Sequence, residues 1–153
     1  MPLIAVFFMR IFGGGELYTA TEIKLMSIGA IAGAWFGAAI GGIDQQVISL
    51  AALTGSDYIT GMYAAWKNKN ISSRIGYKGL MKKVAIFGAV ILANQFDTAA
   101  GLHLLRPAAF LGFAIVELSS LLENFDRIGW GEYIPSFLRD KLVQIREEKG
   151  VKL

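Results

Sequence analysis

The chain has 153 residues, 54% of them hydrophobic and 18% charged, with a net charge of +3 and a mean hydropathy of +0.50. A soluble domain carries nearer one quarter charged residues, so this composition excludes an ordinary soluble globule and points to a polytopic membrane protein. The basic balance does not imply nucleic acid, because the Lys and Arg residues flank apolar segments, which makes anionic lipid the expected counterpart.

The first segment, Met1–Phe12, is apolar but contains Arg10. It is too short to cross a hydrocarbon core of about 30 Å at about 1.5 Å per residue. Its charge follows the apolar run and no small-residue cleavage site comes after it, which is not a signal-peptide pattern. An interfacial segment is expected, followed by a flexible Gly13–Gly15 hinge.

Leu25–Ile43 contains no charged residue and is the first expected span. Gly29, Gly33, Gly37 and Gly41 recur every fourth position, and Ala30, Ala34, Ala38 and Gly42 form a second small ridge beside them. Helix association in lipid depends on close backbone approach, which small residues permit, so these glycines are the candidate helix-packing face. The short turn at Ile43–Gln45 leaves room only for an antiparallel hairpin.

Along the second span, 47–66, and the residue just before it, Gln46, Ser49, Ser56/Asp57 and Thr60 recur at three or four residues and share one face. Asp57 falls near its middle, where a carboxylate costs about 2.5–3.5 kcal/mol on insertion scales and must face protein or water. Trp66 marks the membrane interface. From there to Lys83 the sequence reads as a basic loop, with Lys67, Lys69, Arg74, Lys78, Lys82 and Lys83 and no Asp or Glu. These six are the candidate anionic-lipid contacts.

The third span, 84–104, carries Asp97 in its later half. Pro107 is placed to open the fourth, 108–124, in which Glu117, Ser120 and Asn124 share a face. The tail, 125–153, holds an amphipathic helix over Ser136–Lys149, with Leu138, Leu142 and Ile145 on one stripe between Pro135 and Gly150. The architecture expected is therefore all-α and integral to the membrane: a domain over residues 1–124 with four transmembrane helices, then a cytoplasmic tail ending in an amphipathic helix. The Lys/Arg asymmetry puts both termini and the basic loop in the cytoplasm, with Asp44 and His103 outside.

No nucleophile–base pair, metal-ligand cluster, P-loop or dinucleotide glycine pattern is present, and there is no cysteine for disulfide or thiol chemistry. Neither an enzyme nor a cofactor protein is expected. The candidate functional residues are the intramembrane acids Asp57, Asp97 and Glu117, which have no basic residue within the expected spans to pair with. Two readings follow. They can be neutral glue between helices, or they can line a wet path after assembly.

Several short motifs in order, Asp57–Gly61, Ala64–Lys67, Ser72-Ser73, Gly76, Lys78-Gly79, Lys82-Lys83, Asp97, Glu117–Asn124, Gly129 and Ile134-Pro135, resemble the toxin-secretion/phage-lysis holin family over about 57–147. The glycine-ridged first span lies outside that stretch. The resemblance implies a phage protein that oligomerises in the bacterial inner membrane and permeabilises it. Its implied partners are copies of itself, an endolysin and an antiholin. A start at Met9 would remove Pro2–Phe8 and keep Arg10, so a shortened product would differ in apolar length and not in charge. The other readings open to the residues are a non-lytic channel or transporter subunit and a membrane anchor for a partner protein.

Overall fold

A computed structural model describes residues 19–149. The expectations for the N-terminal apolar segment, the Gly13–Gly15 hinge and the Met9 start lie outside the described residues. Within them the chain is all-helical, with no strand. Five α-helices follow in order: α1, Ala20–Ile40; α2, Gln45–Lys67; α3, Ser73–Ala100; α4, Leu105–Arg127; and α5, Ser136–Lys149. A short 3-10 turn, Gly131–Tyr133, precedes α5.

The chain divides into two compact units, residues 1–38 and 39–153. The first holds most of α1. Its start is fixed by a reciprocal cap: the Glu22 carboxylate accepts from the Thr19 backbone N–H at 2.7 Å, and Thr19 Oγ1 accepts from the Glu22 N–H at 3.3 Å. A side-chain carbon built on Gly29 or Gly33 would meet open space.

In the second unit, α4 packs along both α2 and α3, and those two touch each other less. The inward stripes follow helical spacing. On α2 they are Val47, Leu50, Thr54, Asp57 and Ala64; on α3, Lys83, Ile86, Val90 and Asp97; on α4, Phe110, Glu117 and Asn124, with Ile115 and Leu122 beside them. Outward, the same helices present large apolar side chains such as Ile48, Ile59, Leu92, Phe96 and Leu111. Exposed apolar surface on this scale marks a face that meets lipid or another protein. By length and composition, α1 and α4 are apolar enough to cross a membrane. Polar residues dilute α2 and α3, expected as spans two and three, below that measure.

The expected basic loop is mostly helix. Only Asn68–Ser72 joins α2 to α3, because Ser72 Oγ accepts from the Ile75 N–H at 3.3 Å and starts a helix that continues to Ala100. Gly76 and Gly79, which fall within the expected basic loop, lie inside this helix and admit Tyr58 of α2. A side-chain carbon at Gly79 would come within 3.2 Å of the Tyr58 ring.

The α1–α2 turn needs its glycines for two different reasons. Gly41 and Gly42 have φ of +87° and +98°, but only at Gly41 would a side-chain carbon strike the Asn94 amide and the Arg106 guanidinium. Gly42→Ala is expected to cost about 1–2 kcal/mol from the left-handed backbone alone. Gly41→Ala should cost more, because the clash adds to the same strain. Thermal unfolding of the two variants in one detergent, followed by circular dichroism, checks the order.

Candidate functional site

Three helices place charged side chains at one level. Asp57 is nine residues before Trp66 on α2, Lys83 ten residues after Ser73 on α3, and Glu117 ten residues before Arg127 on α4. At about 1.5 Å per residue each therefore lies about 14 Å from the end of the bundle that carries the 68–72 loop. The Lys83 ammonium donates to Asp57 Oδ2 and to Glu117 Oε2, bridging α2 to α4. Glu117 is fully buried, and the Lys83 and Asp57 side chains are 11% and 12% exposed.

The expectation of unpartnered acids is overturned. Lys83, the last residue of the expected loop, is in phase with Ile86 and Val90 and turns inward. Lys82, half-exposed, brings its ammonium to 3.2 Å from Glu117 Oε1. That approach supplies opposite charge without hydrogen-bond geometry, so Oε1 has a cation beside it and no hydrogen-bond donor. Two carboxylates and two ammonium groups balance the cluster to zero net charge. Asn124 completes it: its amide N–H groups donate to Asp57 Oδ1 at 2.9 Å, to the Asp57 carbonyl at 3.2 Å and to Thr60 Oγ1 at 3.3 Å.

Asp97 takes no part in this cluster. At the opposite end of the bundle its carboxylate accepts from the Leu105 N–H at 3.0 Å and the Arg106 N–H at 2.8 Å, capping α4 from the preceding helix. This substitutes for a local cap, since Leu104 has no side chain that can serve. Arg106 is a residue that sequence reading passed over. Its Nε donates to the Ile40 carbonyl at 2.7 Å, a second nitrogen lies 2.9 Å from Asp44 Oδ2, and the guanidinium lies 4.9 Å from the centre of the Phe110 ring. Asn94 and Gln95 each donate to the Ala39 carbonyl at 2.9 Å. Carbonyls freed at the end of α1 are thus satisfied by α3 and α4. The hydrogen bond from Arg106, with the Val47 N–H adding to it, holds the Asp44 carboxyl below the usual carboxylate range against opposing burial.

Of the basic residues singled out in the sequence, Lys67 donates from its ammonium to the Ile128 carbonyl, and Lys69, Arg74 and Lys78 are exposed. Tyr63, Trp66, Phe125 and Trp130 gather at the same end, with ring centroids 5.7–6.4 Å apart. Arg139 of α5 makes a two-pronged pair with Asp126 at 2.7 and 2.5 Å, and this hydrogen bonding raises the Arg139 pKa further.

An all-helical chain with two helices long and apolar enough to cross a membrane, and large apolar side chains turned outward, points to a membrane protein. Residues 34–147 match the model of the bacteriophage holin family, and the chain belongs to that family. The match begins within α1, upstream of the stretch in which the sequence motifs resemble holins. Similar proteins include an uncharacterized protein of Listeria innocua, 34% identical over 84% of this chain and 89% of its own length. An uncharacterized protein of Bacillus subtilis is 39% identical over 65% and 71%. A "Probable holin" of Bacillus phage phi105 is 36% identical over 63% of this chain and 70% of its own. No solved structure matches the chain.

Two predictions follow from this geometry. Lys83→Met leaves two carboxylates buried together and should destabilise the helices by about 3–5 kcal/mol, whereas the combined Asp57→Leu/Lys83→Met/Glu117→Leu variant should recover most of that loss. Unfolding of both in detergent micelles checks it, and equal losses would mean the charges are not coupled. Because the folded Asp44 carboxyl titrates below its unfolded value, its pairing stabilises the fold above about pH 4 and is lost as pH falls through the lower folded value. Asp44→Asn should remove that part of the acid destabilisation in a pH series of melting curves.

Proposed function

We propose that this protein is a holin that oligomerises in the bacterial inner membrane and permeabilises it, so that an endolysin reaches the cell wall. The observation that carries the reading is membership of the bacteriophage holin family over most of the chain, together with similarity to a probable phage holin. In this reading α1 to α4 all cross the membrane, the termini and the 68–72 loop are cytoplasmic, and α5 is a cytoplasmic amphipathic helix. A long antiparallel hairpin can carry a polar α2 and α3 through lipid when their charges are paired inside the bundle.

The parts then have distinct tasks. The Gly29, Gly33 and Gly37 ridge meets the same ridge of neighbouring copies, whereas Gly41, expected as its fourth member, lies beyond α1 and gives its space to Asn94 and Arg106 of the same chain. Lys67, Lys69, Arg74 and Lys78 contact anionic headgroups, with Lys82 and Lys83 at the inner margin of that basic region. Asp57 and Glu117 are buried with Lys83 in the packed subunit and line a hydrated path once subunits separate their helices, where water replaces the partners each charge gives up. Asp97 faces that path at its outer end. An antiholin is a further partner, acting through the same helix surfaces.

Timed expression in a bacterial host with a potential-sensitive dye and a reporter endolysin tests this reading. A holin leaves the potential intact for a delay and then collapses it abruptly, with endolysin release. Leakage from the onset would instead mark a non-lytic channel, and neither effect a passive anchor. Gly33→Leu and Gly37→Leu, at matched protein levels, should thin the ladder of crosslinked oligomers and delay the collapse. Unchanged ladders and timing in both variants would remove the ridge from the assembly interface.

A further inference from the structure

We propose that the cleft between α2 and α3, floored by α4, is a water-filled vestibule that reaches the ion cluster from the end carrying the 68–72 loop. The inference rests on α2, α3 and α4 crossing the membrane as proposed above. The cleft has a volume of about 250 Å³ and runs from Arg127 down to Asp57 and Lys83. Ser120, Glu123 and Asn124 form its floor, while Lys82 and Met62 line opposite walls.

Its chemistry selects the occupant. Lipid tails entering the cleft would strip Glu123, Arg127 and Ser120 of hydrogen-bonding partners, at several kcal/mol for each polar group left unsatisfied in hydrocarbon. A cavity of this size has room for about eight water molecules at about 30 Å³ each, and its walls supply the two to four polar contacts a water requires. Rim charges also favour water over a single ion. Glu123 opposes Arg127, and the cluster beneath is balanced, so the cleft offers no net charge to concentrate an anion or a cation.

On the far side of the cluster the interior is dry. Leu50, Ile86, Val90, Phe110 and Ile115 are all at most 5% exposed and form an apolar layer there. Hydration is therefore one-sided. Water reaches about 14 Å inward from the loop end, and the permeability barrier of the single subunit is the ion cluster together with the apolar layer beyond it. This accounts for how four charges are carried at that depth without all being dehydrated, since Lys82 lies half-exposed in the cleft wall.

The chain has no native cysteine, so single-cysteine variants can be read with a charged, membrane-impermeant methanethiosulfonate reagent in vesicles of either orientation, before any lysis. Ser73→Cys marks the loop side and Asp44→Cys the opposite side. Ile59, on the outer face near the level of the cluster, is 68% exposed, and Ile59→Cys reports a site in lipid. Ser120→Cys and Met62→Cys are expected to react from the loop side within about tenfold of Ser73→Cys, with Ile59→Cys at least about tenfold slower still, because a charged reagent does not enter hydrocarbon. If Ser120→Cys and Met62→Cys are both as slow as Ile59→Cys, or react from the Asp44 side, the vestibule is overturned while the topology stands. If Ser73→Cys and Asp44→Cys label from the same side, the spanning arrangement fails, and the vestibule with it.

Discussion

Lys83 constrains the second unit more than any other residue. It is the shared cation of two carboxylates that come from positions 26 and 34 residues away in the chain. In a low-dielectric interior neither acid is tolerable as a lone charge, nor is the lysine. The three become acceptable only together, which ties the relative depth of α2, α3 and α4. A one-residue slip of α3 would rotate Lys83 by about 100° and translate it by about 1.5 Å, taking it out of reach of both partners. Apolar contacts such as Val90 against its neighbours fill the interior, but they are less selective about register than a hydrogen-bonded charge. The cluster supplies that selectivity, and Asn124 extends it from side chains to the α2 backbone.

The opposite end is held by a different device. Asp97 and Arg106 bond mainly to main-chain groups: the N–H groups that open α4 and the carbonyls that close α1. Helix ends leave such groups without partners, and in a membrane-facing protein water is a poor substitute for them. Gly41 belongs to this arrangement because its missing side chain leaves room for Asn94 and Arg106. The two devices are complementary in kind: the cluster within the bundle pairs side-chain charges, and the end near Pro107 caps backbone dipoles.

The exterior suits lipid or another protein, with Ile59, Leu92 and Leu111 turned outward. Glycines 29 and 33 leave α1 a smooth surface on which another backbone can lie. The interior is divided between the paired charges of Asp57, Lys83 and Glu117 and an apolar layer of Leu50, Ile86, Val90, Phe110 and Ile115.

Much of the architecture is legible in local sequence, because helices are set by period, caps and breakers. The Ser136–Lys149 helix was expected with the boundaries it has, from Pro135 and its leucine stripe. The Asp44 turn, the α2 helix and an α4 opening near Pro107 lie close to their expected places. The start of α3 lies well before the span expected from residue 84, because a run of like charges without Asp or Glu reads as a basic loop while the structure continues it as helix from Ser73. Ser72 can cap a helix regardless of the charges that follow, and the spacing of Lys83 with Ile86, Val90 and Asp97 carried the signal that this lysine faces inward. No local pattern could pair it. Whether the acids at 57 and 117 were neutral, hydrated or ion-paired depended on which helix met them at the same depth. Asp97 likewise looked equivalent to them in sequence, yet it caps a helix end at the other side of the bundle. Residue types and helical phase are properties of the chain taken segment by segment. Partner and charge balance belong to three helices packed in one register, so tertiary structure alone decided them.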